Sequence, residues 1–201
     1  MFNFSLEHML FLTIAFLIAA PVHEAAHAWV AYRLGDPTPQ RDGRLTLNPL
    51  VHIDLLGFIL ILLAGFGWAK PVMTNPAMFR GNRRMGMLKV AIAGPIANLL
   101  MAALVALIAR SELVPYFNLS SGIVRVVIYI NVLLCVFNLL PIFPLDGEKI
   151  LRSLVPMRYL GIFYKMETYG PFILLLLVFM PGGILGSIIG PPIDFILRLL
   201  V

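Results

Sequence analysis

Residues 10–33 read LFLTIAFLIAAPVHEAAHAWVAYR. A run of about 20 mainly apolar residues is what a helix needs to cross the hydrocarbon core of a bilayer. This stretch supplies one, yet it carries His23, Glu24 and His27 in its second half. An ionisable side chain within a span costs about 3 kcal/mol or more and marks a working site by default. The stretch therefore poses the question of fold and the question of function together.

Working outward, the 201-residue chain is 60% hydrophobic and 12% charged, with a mean hydropathy of +0.94. Soluble domains carry about 25% charged residues. The expected class is an all-α polytopic membrane protein, folded as one domain over 1–201, with about four to five transmembrane helices. Residues 6–33, 87–109, 123–145 and 171 to about 190 read as the spans. Beyond the last, Pro181, Gly182, Gly183, Pro191 and Pro192 leave a kinked helix or two short segments open. Between the first two spans, LGDPTPQRDGRLTLNPL (34–50) is too rich in Pro and Gly for a continuous helix. After it, LLGFILILLAGFGW (55–68) is apolar but interrupted by Gly57, Gly65 and Gly67. It is too short to cross, and reads as a re-entrant element or a β-hairpin shielded by protein.

Charge orients the chain. Residues 70–89 hold Lys70, Arg80, Arg83, Arg84 and Lys89 without an acid, whereas 111–121 hold only Glu112. Cytoplasmic loops collect Lys and Arg, so the former is expected inside and the latter outside. The 147–169 loop, with Lys149, Arg152, Arg158 and Lys165 against Glu148 and Glu167, agrees with an inner placement, and the N-terminus falls outside. This rule accounts for the net charge of +5, so no nucleic-acid partner is expected. The one cysteine, Cys135, lies in an apolar run and reads as a small buried residue. No basic n-region precedes the first span, so no cleavable signal is expected.

His23 and His27 are four apart, which on a helix stacks them on one face with Cβ atoms about 5–6 Å apart. Two imidazoles so placed suit one zinc ion, and the adjacent Glu24 suits a general base: the HExxH arrangement. A catalytic zinc takes about three protein ligands, so a third must come from elsewhere. Asp146, in FNLLPIFPLDG (137–147), is the one further acid at the margin of an apolar span. Pro141 and Pro144 break the helix ahead of it and Gly147 permits a tight turn, so its carboxylate can point into the bundle. Spacing alone leaves a ligand and a cytosol-facing turn residue as equal readings of Asp146. Asn98 can donate to the site or tie helices together. His52 and Asp54 read as structural ahead of a second metal pair. Trp29, Trp68 and Tyr32 read as interfacial anchors, and Met85 and Met87 as packing residues.

HEAAH together with NLLPIFPLDG, which fits NxxPxxxLDG from Asn138 to Gly147, resembles the site-2 protease family of intramembrane zinc metalloproteases. AGPIAN (93–98) and GRLTLNPLVHIDLLG (43–57) resemble its short prokaryotic members, and no PDZ-like insertion is visible. The resemblance implies His23, His27 and Asp146 as zinc ligands, Glu24 as catalytic acid/base, and Asn138 near the scissile carbonyl or its oxyanion. It implies peptide-bond hydrolysis in or near transmembrane segments of a membrane-protein substrate, in a prokaryotic cell membrane. The competing expectation is a metal-ion transporter or sensor that uses the same ligands without hydrolysis. A helical substrate hides its carbonyls in hydrogen bonds that lipid cannot replace. It must unwind, and a strand edge within 55–69 would offer replacement partners.

Overall fold

A computed structural model describes residues 6–64, 67–111, 114, 117–180 and 183–201. Helices account for nearly all of its regular structure, and among the described residues there is no strand beyond a single antiparallel bridge, Ile53 to Ala69. The chain runs through α1 (Leu6–Arg33), the short α2 (Thr38–Arg41) and α3 (Pro49–His52), α4 (Leu55–Ala64) and α5 (Arg83–Arg110). It continues through α6 (Gly122–Asn138), α7 (Asp146–Leu154), α8 (Leu160–Phe179) and α9 (Ile184–Leu200). Three of these elements are long and apolar enough to cross a membrane: Met9–Arg33, Arg83–Arg110 and Met157–Phe179.

The central bundle is α1, α5 and α6 packed mutually, with α9 against α6. Small residues on α5, Ala102, Ala106 and Ala109, meet Val124, Val127, Ile128 and Val132 of α6, and Ile189 and Ile193 of α9 close the cluster. Association between helices in lipid has no hydrophobic drive, so close approach over small side chains supplies the packing energy. The outward faces are as apolar as the core: Leu100, Leu104 and Leu107 on α5 and Phe172, Leu175 and Phe179 on α8 are exposed. Trp29, Trp68 and Tyr32 are also exposed, as anchors at an interface require.

Three sequence expectations change. Residues 55–64 form a helix, not a hairpin strand, and the turn-back is closed by the Ile53–Ala69 bridge and by the Lys70 N–H donating to His52 O at 2.8 Å. The glycines serve the close contact within that turn. A Cβ on Gly57 would run into the Trp68 carbonyl oxygen and lie 2.9 Å from the Trp68 nitrogen, and one on Gly67 would meet the Gly57 carbonyl. Gly65 lies outside the described residues. The third span ends at Asn138 rather than 145, because Pro141 has no N–H and disfavours helix in the residue before it; residues 139–145 turn back through a cis Phe143–Pro144 bond. The fourth span, expected from 171 to about 190 with a kinked helix or two short segments left open, takes the second form with other bounds. α8 starts eleven residues earlier, at Leu160, and carries Pro171 internally. The break falls at Met180, which is extended, and at Gly183, whose φ of 66° is left-handed and suits glycine.

Between α1 and α5 the chain is laid along the end of α1 that carries Arg33. Buried Asp36 accepts from Thr38 N–H at 2.9 Å and Asn75 N–H at 2.6 Å, and Arg80 N–H donates to Leu34 O at 2.7 Å. Buried Arg44 donates to the carbonyls of Val51 and Lys70. The Asn82 side chain caps α5, accepting from Arg84 N–H at 3.0 Å and Met85 N–H at 3.1 Å. These ties flank residues 70–74, which have no regular structure and meet α1 where Val72 reaches Glu24.

Candidate metal centre

His23 and His27 lie on one face of α1, as their spacing requires, with ring centroids 4.6 Å apart and planes at 81°. Both are buried. Each is oriented by a bond at Nδ1: His23 to Asn98 Oδ1 at 2.6 Å, His27 to the carbonyl of Val90 at 2.7 Å. Both of those partners come from α5. A carbonyl oxygen can only accept, so Nδ1 carries a proton in each ring, and in the neutral imidazole Nε2 then presents its lone pair.

The two Nε2 atoms point at the same place. Asp146 Oδ2 stands 3.0 Å from each of them, and the three candidate ligand atoms lie within 4.8 Å of one another. Asp146 opens α7, and its other oxygen accepts from Lys149 Nζ at 3.0 Å. Two imidazole lone pairs and an ionised oxygen facing one another repel unless positive charge sits among them. A divalent cation supplies that charge, and a His, His, Asp donor set is one that zinc accepts.

The LDG turn works differently from the sequence expectation. Gly147 has no left-handed φ; instead, a Cβ there would run into the carbonyl oxygens of Leu139 and Leu140. The glycine lets the start of α7 press against the end of α6, which brings Asp146 to the depth of the histidines. Of the two readings that spacing left open for Asp146, the cytosol-facing turn is set aside: the residue is 4% exposed and faces α1.

Gly94 fills the corresponding role on α5. A Cβ at Gly94 would strike His27 Nε2 and come within 2.5 Å of His23 Nε2 and 2.6 Å of His23 Cε1. It is the floor beneath the ligand atoms, a role for which AGPIAN gave no geometric signal. Gly94→Ala is expected to push both rings aside and strip the metal from otherwise folded protein. Metal content by elemental analysis, beside an unchanged helical circular dichroism spectrum, checks this.

Glu24 is half-buried on the next face of α1, and its Oε2 accepts from the Val72 N–H at 2.9 Å. Through Val72 the 70–74 segment therefore reaches the carboxylate that the HExxH reading singles out. Asn98, fully buried, does not donate to the site: its Oδ1 accepts from His23 and orients that ring, while its amide ties the helices together by donating to Ala19 O of α1 at 3.0 Å and to Asn131 Oδ1 of α6 at 2.9 Å. The Asn138 side chain has no hydrogen bond to the candidate ligands. Its amide donates to Leu134 O within α6 at 3.0 Å. His52 is buried away from the cluster with Nε2 against Thr46 O at 2.9 Å, and Asp54 accepts from Gly57 N–H at 2.9 Å at the start of α4. Both are held in structural contacts of the turn-back.

Fold and site together define a class: a helical membrane protein with a buried His, His, Asp ligand group beside a glutamate. Comparison with known proteins makes the assignment particular. Residues 116–180 match the model of peptidase family M50. The chain is 40% identical over 98% of its length to the zinc metalloprotease designated YwhC of Bacillus subtilis, 93% of which is covered. It is 31% identical over 72% of its length to the zinc metalloprotease designated Rip2 of Mycolicibacterium smegmatis, covering 61% of that protein. It is 24% identical over 74% of its length to a zinc metalloprotease of Methanocaldococcus jannaschii, of which 35% is covered. No solved structure matches. The chain belongs to peptidase family M50, the site-2 protease family that its motifs resemble.

Proposed function

We propose that this chain is an intramembrane zinc metalloendopeptidase that hydrolyses peptide bonds in or near transmembrane segments of membrane proteins, close to the cytoplasmic face of the cell membrane. The observation that carries the reading is the convergence of His23 Nε2, His27 Nε2 and Asp146 Oδ2 next to the Glu24 carboxylate. Residues 1–201 act as one metalloprotease domain with five crossings: α1, α5, α6, α8 and α9. The 17 residues of α6 rise about 25 Å at about 1.5 Å each, a little under the bilayer core of about 30 Å, a mismatch that local thinning absorbs. α4, with the chain before and after it joined at Ile53 and Ala69, is the re-entrant element in this reading.

In this reading His23, His27 and Asp146 hold the zinc, which supplies Lewis acidity toward the scissile carbonyl. Glu24 does the proton work. Val72 N–H fixes Oε2, leaving Oε1 to accept the proton of the attacking water and return it to the departing amine nitrogen. Asn138, which matches the first position of NxxPxxxLDG, is assigned to the scissile carbonyl or its oxyanion on that motif alone, with one amide proton spent on Leu134 O. The irregular 70–74 segment, which touches Glu24 through Val72, offers an unwound substrate a backbone edge at the reacting depth. That shifts the substrate-edge expectation from 55–69 to the residues that follow it.

Reconstitution with a membrane-spanning substrate tests the proposal. Cleavage is expected at or near the inner boundary of the substrate helix, lost on treatment with a chelator and restored by added zinc. Metal flux across the proteoliposome without any cleavage would overturn it.

A further inference from the structure

Resting on the zinc reading above, we infer that Asn131, on α6 and away from the ligand atoms, is a positioning residue for the metal: it fixes which side of the Asn98 amide faces His23, and hence which imidazole nitrogen is free. Asn131 is fully buried and makes no contact with a ligand atom among its hydrogen bonds. Neither HExxH nor the LDG motif includes it.

The inference comes from counting protons. Asn98 has two amide hydrogens. One goes to Ala19 O at 3.0 Å and the other to Asn131 Oδ1 at 2.9 Å. With both spent, only Oδ1 remains for His23, and it lies 2.6 Å from Nδ1. An oxygen can only accept, so in the neutral His23 ring the proton is on Nδ1 and Nε2 is bare. Turning the Asn98 amide over would set its oxygen against two acceptors and its hydrogens against His23. The same argument applies one step back. Asn131 donates Nδ2–H to Val127 O at 2.9 Å, a carbonyl one turn earlier on its own helix. Flipping Asn131 would face its oxygen toward that carbonyl.

The polarity of the relay Val127 O, Asn131, Asn98, His23 is thus set by two backbone carbonyls, Val127 O and Ala19 O, which have no alternative to accepting. The relay crosses α6, α5 and α1, so it also ties ring orientation to the packing of the three central helices. A buried polar chain of this sort is stable only when every member is satisfied. Outer partners of metal-binding histidines are worth about 10–100-fold in metal affinity.

The test is zinc affinity by chelator competition on purified full-length protein, wild type against Asn131→Leu and Asn131→Asp, with cobalt substituted for zinc as a spectroscopic probe. Leucine removes the acceptor and leaves an Asn98 N–H unsatisfied; it is expected to weaken zinc by about tenfold and to alter the cobalt d–d bands. Aspartic acid has the same shape, keeps an acceptor for Asn98 and, when protonated, a donor for Val127 O; affinity and spectrum are expected to stay within about twofold of wild type by retention of that bond. Equal zinc affinity in all three proteins overturns the relay. So does equal loss in both variants, which would reflect packing and not the acceptor. Should Asn131→Leu not fold, loss of affinity in a folded Asn131→Asp overturns it as well. Wild-type protein that takes up no zinc would instead remove the metalloprotease reading on which the relay rests.

Discussion

Glu24→Gln is expected to abolish peptide cleavage while leaving zinc bound. The amide keeps the shape of the side chain and can still accept from Val72 N–H through its oxygen. It has no basic oxygen to take a proton from water. General acid–base catalysis contributes about 10²–10⁴-fold, so turnover should drop by that range to the floor of a gel-based assay. Zinc content should not change, because the three ligand atoms belong to His23, His27 and Asp146. Measuring both quantities on one preparation separates a chemical role from a structural one. Proteolysis at the wild-type rate would remove Glu24 from the mechanism.

The second large effect is expected from Asp146→Ala. Deleting this carboxylate leaves two imidazoles with their Nδ1 protons still held by Asn98 and Val90, and with only two of the three protein ligands a catalytic zinc uses. It also leaves Lys149 without its acceptor, so a cation is stranded close to the metal position. Both changes disfavour a divalent ion. The fall in zinc affinity should exceed the roughly 10–100-fold typical of losing an outer partner, and activity should vanish with the metal. His52→Ala provides the contrast. His52 bonds to Thr46 O in the turn-back and stands apart from the ligand group, so zinc occupancy should survive. Full occupancy in Asp146→Ala with loss in His52→Ala would mean that the third ligand has been misassigned.

Much of the site is local in origin, which is why it could be read so early. His23 and His27 share a face because a helix repeats about every 3.6 residues, and Glu24 comes with them. The first helix, Leu6–Arg33, coincides with the expected span, since an uninterrupted apolar run leaves the backbone no other way to satisfy its hydrogen bonds in lipid. Boundaries set by glycine and proline were less legible. Pro171 sits inside α8 although it removes a backbone donor, while α8 ends at Phe179 and α9 begins after Gly183, at a break that the residues there left open between a kink and two segments. The 55–64 stretch forms a helix although its length cannot cross, because the pairing that closes it lies outside the apolar run.

By itself, the sequence determined that the chain lives in a membrane, that one helix carries a pair of imidazoles with a carboxylate beside them, and that an acid follows a proline-broken helix. Those are properties of composition, period and backbone chemistry, each contained in a short window. Tertiary structure decided the rest. It joined Asp146 to histidines more than a hundred residues away, through two glycines, Gly94 and Gly147, that allow helices to touch where any side chain would intrude. It gave Val90, Asn98 and Asn131 their part in orienting the rings, and turned Asn138 toward its own helix. Contacts between distant helices depend on which faces meet and how closely, and no periodicity along one segment encodes the surface of its neighbour.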